Sequence, residues 1–162
     1  MSRKTTLRWV GGLVALGVVL VALGNWAVPH NNPAITETIQ WDSPETEHLA
    51  RTACFDCHSN ETKWPWYAFI APSAFWVTSN VEYGRSAVNF STYPNLEGSE
   101  MARKIRAGEM PPPEYLLLHP EAHLNDEQKA ALIAGFEATF RGAELLRMTP
   151  APTPGTANAG GS

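Results

Sequence analysis

Cys54-Phe55-Asp56-Cys57-His58 is the part of this sequence whose residue types and spacing could do chemistry. On a helical turn, positions i, i+3 and i+4 share one face. Both thiols and the imidazole then point the same way. Two such thiols can form thioethers with the two vinyl groups of one porphyrin, and the next side chain can reach the iron from the same side. C-x-x-C-H outside the cytoplasm is the attachment signature of c-type haem. Other uses of the pair fit less well. A thioredoxin-like redox pair belongs in a βαβ context, and none surrounds this one. Zinc needs further ligands, and there is no second cysteine pair. A structural disulfide between Cys54 and Cys57 stays open.

An iron held by His58 takes a second axial ligand or keeps an open site. The candidates are Met101, Met110, Met148, His48, His119 and His123, with His30 beside the apolar N-terminal run. Met110 stands out by context. It follows Gly108-Glu109 and precedes Pro111-Pro112-Pro113. A proline-stiffened loop after a helix can hold a thioether in place without using its backbone donors. Met101 reads equally well as a core residue. His119 and His123 read by default as surface or structural histidines. Trp64, Trp66, Tyr67, Phe69, Phe75 and Trp76 crowd one short segment. They read as a haem-pocket wall or as the core of a small domain, and the two readings overlap. Arg51, Lys63 and Arg85 are candidate propionate partners, or otherwise solvated charges.

These residues need a scaffold, and the pattern predicts an all-α one. Glu45 and Glu47 fall in the first turn of a helix that begins after Pro44 and runs toward the cysteines. A second helix runs from Ser73 to about Asn89, with Phe75, Trp76, Val81 and Val88 as its apolar positions. Ser99 could cap a third over Glu100 to Ala107, stopped by Gly108. Asn125 with Gln128 three residues on is a capping-box-like start for the last helix. Leu132, Ile133, Phe136 and Phe140 then share one face of it. No segment alternates at period two for long, and no internal repeat is present.

The chain has 162 residues, room for one modest domain plus appendages. Trp9 to Val28 carry no charge and one polar side chain, Asn25. Twenty helical residues span about 30 Å, the thickness of a bilayer core. The run exceeds the usual h-region of a cleaved signal peptide, and Trp26 reads as an interfacial anchor. Ala22 and Gly24 could still supply a cleavage site. Arg3, Lys4 and Arg8 precede the run and stay in the cytoplasm, so the rest lies outside it. The expected organisation is an anchor or signal over residues 1–28, a linker over 29–44, a haem-binding domain over 45–148 and a disordered tail over 149–162. Of the 12 Lys and Arg, nine lie beyond residue 30 and face 16 Asp and Glu, a net of −7. No basic stripe remains to track nucleic acid.

Several stretches together carry a resemblance. They are Ala53 to Thr62, Trp64-Pro65-Trp66-Tyr67, Ile70-Ala71-Pro72, Val88-Asn89-Phe90-Ser91, Gly108-Glu109-Met110-Pro111-Pro112, Tyr115 to Ala122, and the closing helix from Leu124. In this order they resemble the small c-type haem-binding domain family of bacterial membrane-anchored and secreted proteins, over roughly residues 45–140. The resemblance implies one covalent haem c and a cytochrome c-like helical fold. By the broader cytochrome c pattern it implies His58 as the proximal and Met110 as the distal iron ligand. It settles no reaction, because the family is defined by haem binding.

Two functions of different classes follow. One is a membrane-tethered mono-haem electron carrier on the periplasmic or extracellular side of a single-pass anchor, serving membrane or periplasmic redox proteins. The other is a haem sensor or peroxidase-like enzyme with an open or displaceable distal site, for which His119 or His123 could supply the polar group. A blander option is an accessory haem subunit of a membrane redox complex. No general acid–base constellation lies beside the motif, which favours transfer over catalysis.

Overall fold

The structure is a computed structural model that describes residues 2–92 and 97–148, with side chains described to residue 141. The segment expected to form a disordered tail, 149–162, lies outside the described residues, as does the side chain of Met148. All regular elements among the described residues are helical. They are α1 (Arg3–Ala27), α2 (Pro44–Ala53), α3 (Phe55–His58), α4 (Ser73–Ala87), α5 (Gly98–Arg106), α6 (Pro113–Leu116) and α7 (Asp126–Met148), with short 3₁₀ turns at Trp66–Phe69 and Pro120–Ala122.

Local chemistry explains where these helices start and stop. Ser43 caps α2 by accepting from the Thr46 amide at 3.1 Å, and Pro44 occupies the first turn, where its missing N–H costs nothing. The start of α7 is a reciprocal box. Asn125 Oδ1 accepts from the Gln128 amide at 2.8 Å, and Gln128 Oε1 accepts from the Asn125 amide at 2.9 Å. Helix α5 begins one residue before the expected cap, at Gly98 after Glu97. It stops at Gly108, whose φ of 68° is the left-handed conformation that glycine adopts freely.

One core joins α2, α3, α5 and α7. Leu49, Phe55, Phe90, Leu132, Phe136 and Phe140 are buried together. Phe136 and Phe140 are 2 % and 1 % exposed, so truncating either to Ala costs about 3–5 kcal/mol. Segment 29–44, expected as a linker, is tied to this unit. It holds no regular element before Pro44, the amides of Thr36 and Glu37 donate to Ser91 O at 2.9 and 3.2 Å, and Trp41 packs on Phe55, Phe90, Phe136 and Phe140. An aromatic of that size beside an apolar core is driven onto it by burial.

Of the apolar positions expected on α4, Val81 is buried, whereas Phe75 and Trp76 are 50 % and 46 % exposed. The other buried positions are Ala74, Val77, Thr78 and Gly84. The aromatic cluster at 64–76 is correspondingly not the core. Trp66 stands 75 % exposed.

Candidate functional site

The C-x-x-C-H residues form a single helical turn. Cys54 is the N-cap of α3, and its carbonyl accepts from the amides of Cys57 and His58 at 3.2 and 3.0 Å. The residues after the turn lock it. Ser59 Oγ donates to Phe55 O at 2.7 Å, Thr62 Oγ1 donates to Asp56 O at 2.8 Å, and Asp56 Oδ1 accepts from the Lys63 amide at 3.0 Å. Arg85 spans the same loop from α4, donating to Ser59 O and to Thr62 Oγ1 at 2.8 Å each. Helix α4 comes close because residue 84 is glycine. A Cβ there would sit 2.4 Å from Cys57 O.

This turn forms part of the wall of a cavity of about 450 Å³, within the size range of small-molecule and cofactor sites. Cys54, Cys57 and His58 line it from α3, and Met110 lines it from the loop after α5. Val77, Val81, Val88, Phe90, Ile105 and Phe136 make much of the remaining wall apolar. Both cysteines are free thiols. Burial pushes Cys54 up to about 12 and Cys57 up to about 11, so both are neutral near pH 7. The imidazole of His58 is shifted down from its ordinary value by burial, against the opposing pull of hydrogen bonds to the Val88 and Gly84 carbonyls. Nδ1 of His58 lies 3.1 Å from Val88 O. A carbonyl can only accept, so Nδ1 carries the proton and Nε2 keeps its lone pair.

Met110 is placed by the end of α5. The amide of Gly108 donates to Ile105 O and that of Glu109 to Lys104 O, both at 3.0 Å. That pair of bonds is a Schellman motif closed by the left-handed Gly108. It turns the chain back so that the Met110 amide also donates to Lys104 O, at 3.3 Å.

The other ligand candidates separate by position. Met101 and His119 also line the cavity, whereas His30, His48 and His123 do not. His119 is bonded at both ring nitrogens, to Glu121 Oε1 at 2.9 Å and to the Tyr67 hydroxyl at 2.8 Å. Of the aromatic cluster, only Tyr67 and Trp76 reach the wall. Of the three candidate propionate partners, Lys63 does. Arg51 pairs with Glu47 and Glu61 instead, and Arg85 bonds the loop carbonyls.

Residues 15–138 match the family described as a haem-binding domain. The chain belongs to that family. No curated protein and no solved structure matches this haem-binding domain. The donor set on the cavity wall fits the cofactor that the family binds, combining a neutral imidazole with a free lone pair, a thioether and two thiols in an apolar setting. Among the described residues, no group of three or more His, Cys, Asp or Glu is arranged to hold a bare metal ion.

The haem-binding domain also carries wall residues that sequence reading passed over. Lys104 lines the cavity from α5, at i+3 from Met101 and one residue before Ile105, so helical spacing from Met101 could have found it. Tyr115 lines it too and donates to Asp56 Oδ2 at 3.0 Å, joining the loop after Met110 to α3. Its phenol is held well above the ordinary range by burial and by the Asp56 carboxylate. Only its place in a resembling stretch marked Tyr115 in advance.

Proposed function

We propose that this haem-binding domain is a membrane-tethered, mono-haem c-type cytochrome that carries single electrons on the non-cytoplasmic side. The observation that carries the proposal is the convergence of Cys54, Cys57, His58 and Met110 on one apolar cavity wall. In this reading Cys54 and Cys57 would hold the haem through thioethers to its vinyl groups, and His58 Nε2 and the Met110 sulfur would be its iron ligands. The bound haem supplies a one-electron iron couple, with a potential raised by methionine ligation.

The protein's own residues do the rest. Val88 O fixes the His58 tautomer. The Gly108 turn holds Met110. Helix α1 has 25 residues and a mean hydropathy of 2.0 over its most apolar window, long enough to cross a bilayer at about 1.5 Å per residue. Arg3, Lys4 and Arg8 at its start orient that crossing with the domain outside.

A sensor or peroxidase-like enzyme would need a polar group free on the wall. Of the two histidines that could serve, His123 does not line the cavity and His119 has both ring nitrogens engaged.

Intact-mass analysis of the unfolded, haem-loaded protein tests the proposal. The wild type keeps the mass of one haem. Cys54→Ala with Cys57→Ala loses it, along with far-UV helicity, because a shell of roughly 100 residues loses its largest apolar core element. A wild type that sheds its haem on unfolding, or a stably folded apo double variant, counts against it.

A further inference from the structure

Helix α1 is not free of the domain. The amide of Ala71 donates to Leu20 O at 3.2 Å, inside α1 and seven residues before its end at Ala27. A Cβ at Gly24 would lie 2.4 Å from Phe69 O, so glycine lets the 3₁₀ turn Trp66–Phe69 rest directly on the helix. His30, just past α1, donates from Nε2 to Ala68 O at 2.6 Å and stacks on the Phe69 ring at 4.3 Å.

That geometry has a consequence for depth. At about 1.5 Å per residue, the contact at Leu20 sits about 10 Å below the outer end of α1. The uncharged run Trp9 to Val28 needs nearly all its length to cross about 30 Å of hydrocarbon. With α1 across a bilayer, the turn beside it therefore lies within the outer leaflet, about 5–10 Å inside the edge of the hydrocarbon. The chain there is built for such a place. From Trp64 to Val81 there is no Asp, Glu, Lys or Arg. Trp66 stands 75 % exposed and Phe75 50 % exposed, as does Trp26 on α1 at 87 %. Aromatic residues of this kind are enriched at membrane interfaces.

We infer that the face formed by Trp66–Phe69 and the first turn of α4 is seated in the outer leaflet of the bilayer, beside α1. The domain is thereby held at a fixed attitude rather than swinging on a tether. Tyr67 and Trp76, neighbours of the seated residues, line the cavity, so this attitude keeps that part of the cavity wall near the membrane surface. The inference rests on the reading of α1 as a membrane span.

Photolabelling of the full haem-loaded chain in phosphatidylcholine vesicles, with a diazirine placed on the upper part of the acyl chain, tests it. Adducts are mapped by peptide mass. Labelling of both α1 and residues 64–76, several-fold above that of residues 126–141, supports the inference. Gly24→Leu, which wedges the turn away from α1, then lowers labelling of 64–76 and leaves α1 labelled, with haem absorbance confirming the fold. Labelling of α1 with 64–76 at the level of 126–141 overturns the inference and leaves the span intact. Absence of labelling on α1 overturns the span, and the inference with it.

Discussion

Nδ1 of His58 lies 3.1 Å from the carbonyl oxygen of Val88, the residue that ends α4. The Val88 amide in turn donates to Gly84 O at 2.9 Å. Gly84 is also the point where α4 touches the backbone of Cys57. The last turn of α4 thus sets the distance to the C-x-x-C-H turn and the tautomer of its histidine together.

Gly84→Ala tests that coupling. The new Cβ would meet Cys57 O at 2.4 Å and must push α4 and α3 apart. Overpacking of this kind costs about 1–3 kcal/mol, and here the neighbour is backbone, which gives less than a side chain. Urea unfolding should show that loss, and the ratio of haem absorbance to protein should fall with it. An Ala variant with wild-type stability and haem content would mean that this close approach does not set the site.

Glu109 gives a pH-dependent prediction. The hydrogen bond from Lys104 holds its carboxyl below the ordinary value of 4.5. A carboxyl depressed in the folded state adds stability above its unfolded pKa and loses that stability as pH falls through the folded value. The side chains of Lys104 and Glu109 are 38 % and 44 % exposed, so the effect is small and screened by salt. Glu109→Gln should melt below the wild type at pH 7. The gap should narrow as pH falls below 4.5 and close once the wild-type carboxyl is protonated in the folded state too. A gap that persists in acid would point to packing rather than charge.

Trp41→Ala separates a docked segment from a free linker. The indole packs on four phenylalanine rings and is only half-buried. The loss should fall at the low end of the roughly 3–5 kcal/mol range for aromatic-to-alanine changes in cores. Limited proteolysis should leave residues 34–43 intact in the wild type and cut them in the variant. Equal cleavage of both would show the segment to be free.

Much of the fold was legible because it rests on local rules. The Asn125–Gln128 box, the stop at Gly108 and the face formed by Leu132, Phe136 and Phe140 are each set by residues within a few turns of one another. The candidate site was legible for the same reason at Cys54, Cys57 and His58, which share one turn. That Met110 would reach the same cavity needed the loop context as well as spacing. What escaped sequence reading depends on distant neighbours. Helix α4 buries Ala74, Val77, Thr78, Val81 and Gly84 and leaves Phe75 half exposed, an orientation set by the elements packed on it rather than by its own pattern. Trp41 sits alone in a proline-rich stretch, and its partners come from as far away as Phe140. Tyr115 joins the site through Asp56, a residue far from it in sequence.

The most direct measurement is near-infrared magnetic circular dichroism of the ferric, haem-loaded chain, wild type beside Met110→Ala. The account predicts a low-spin His/Met signature in the wild type that is lost in the variant, which also takes a lower reduction potential. A high-spin, five-coordinate wild type, or a low-spin His/Met spectrum unchanged by Met110→Ala, would contradict it.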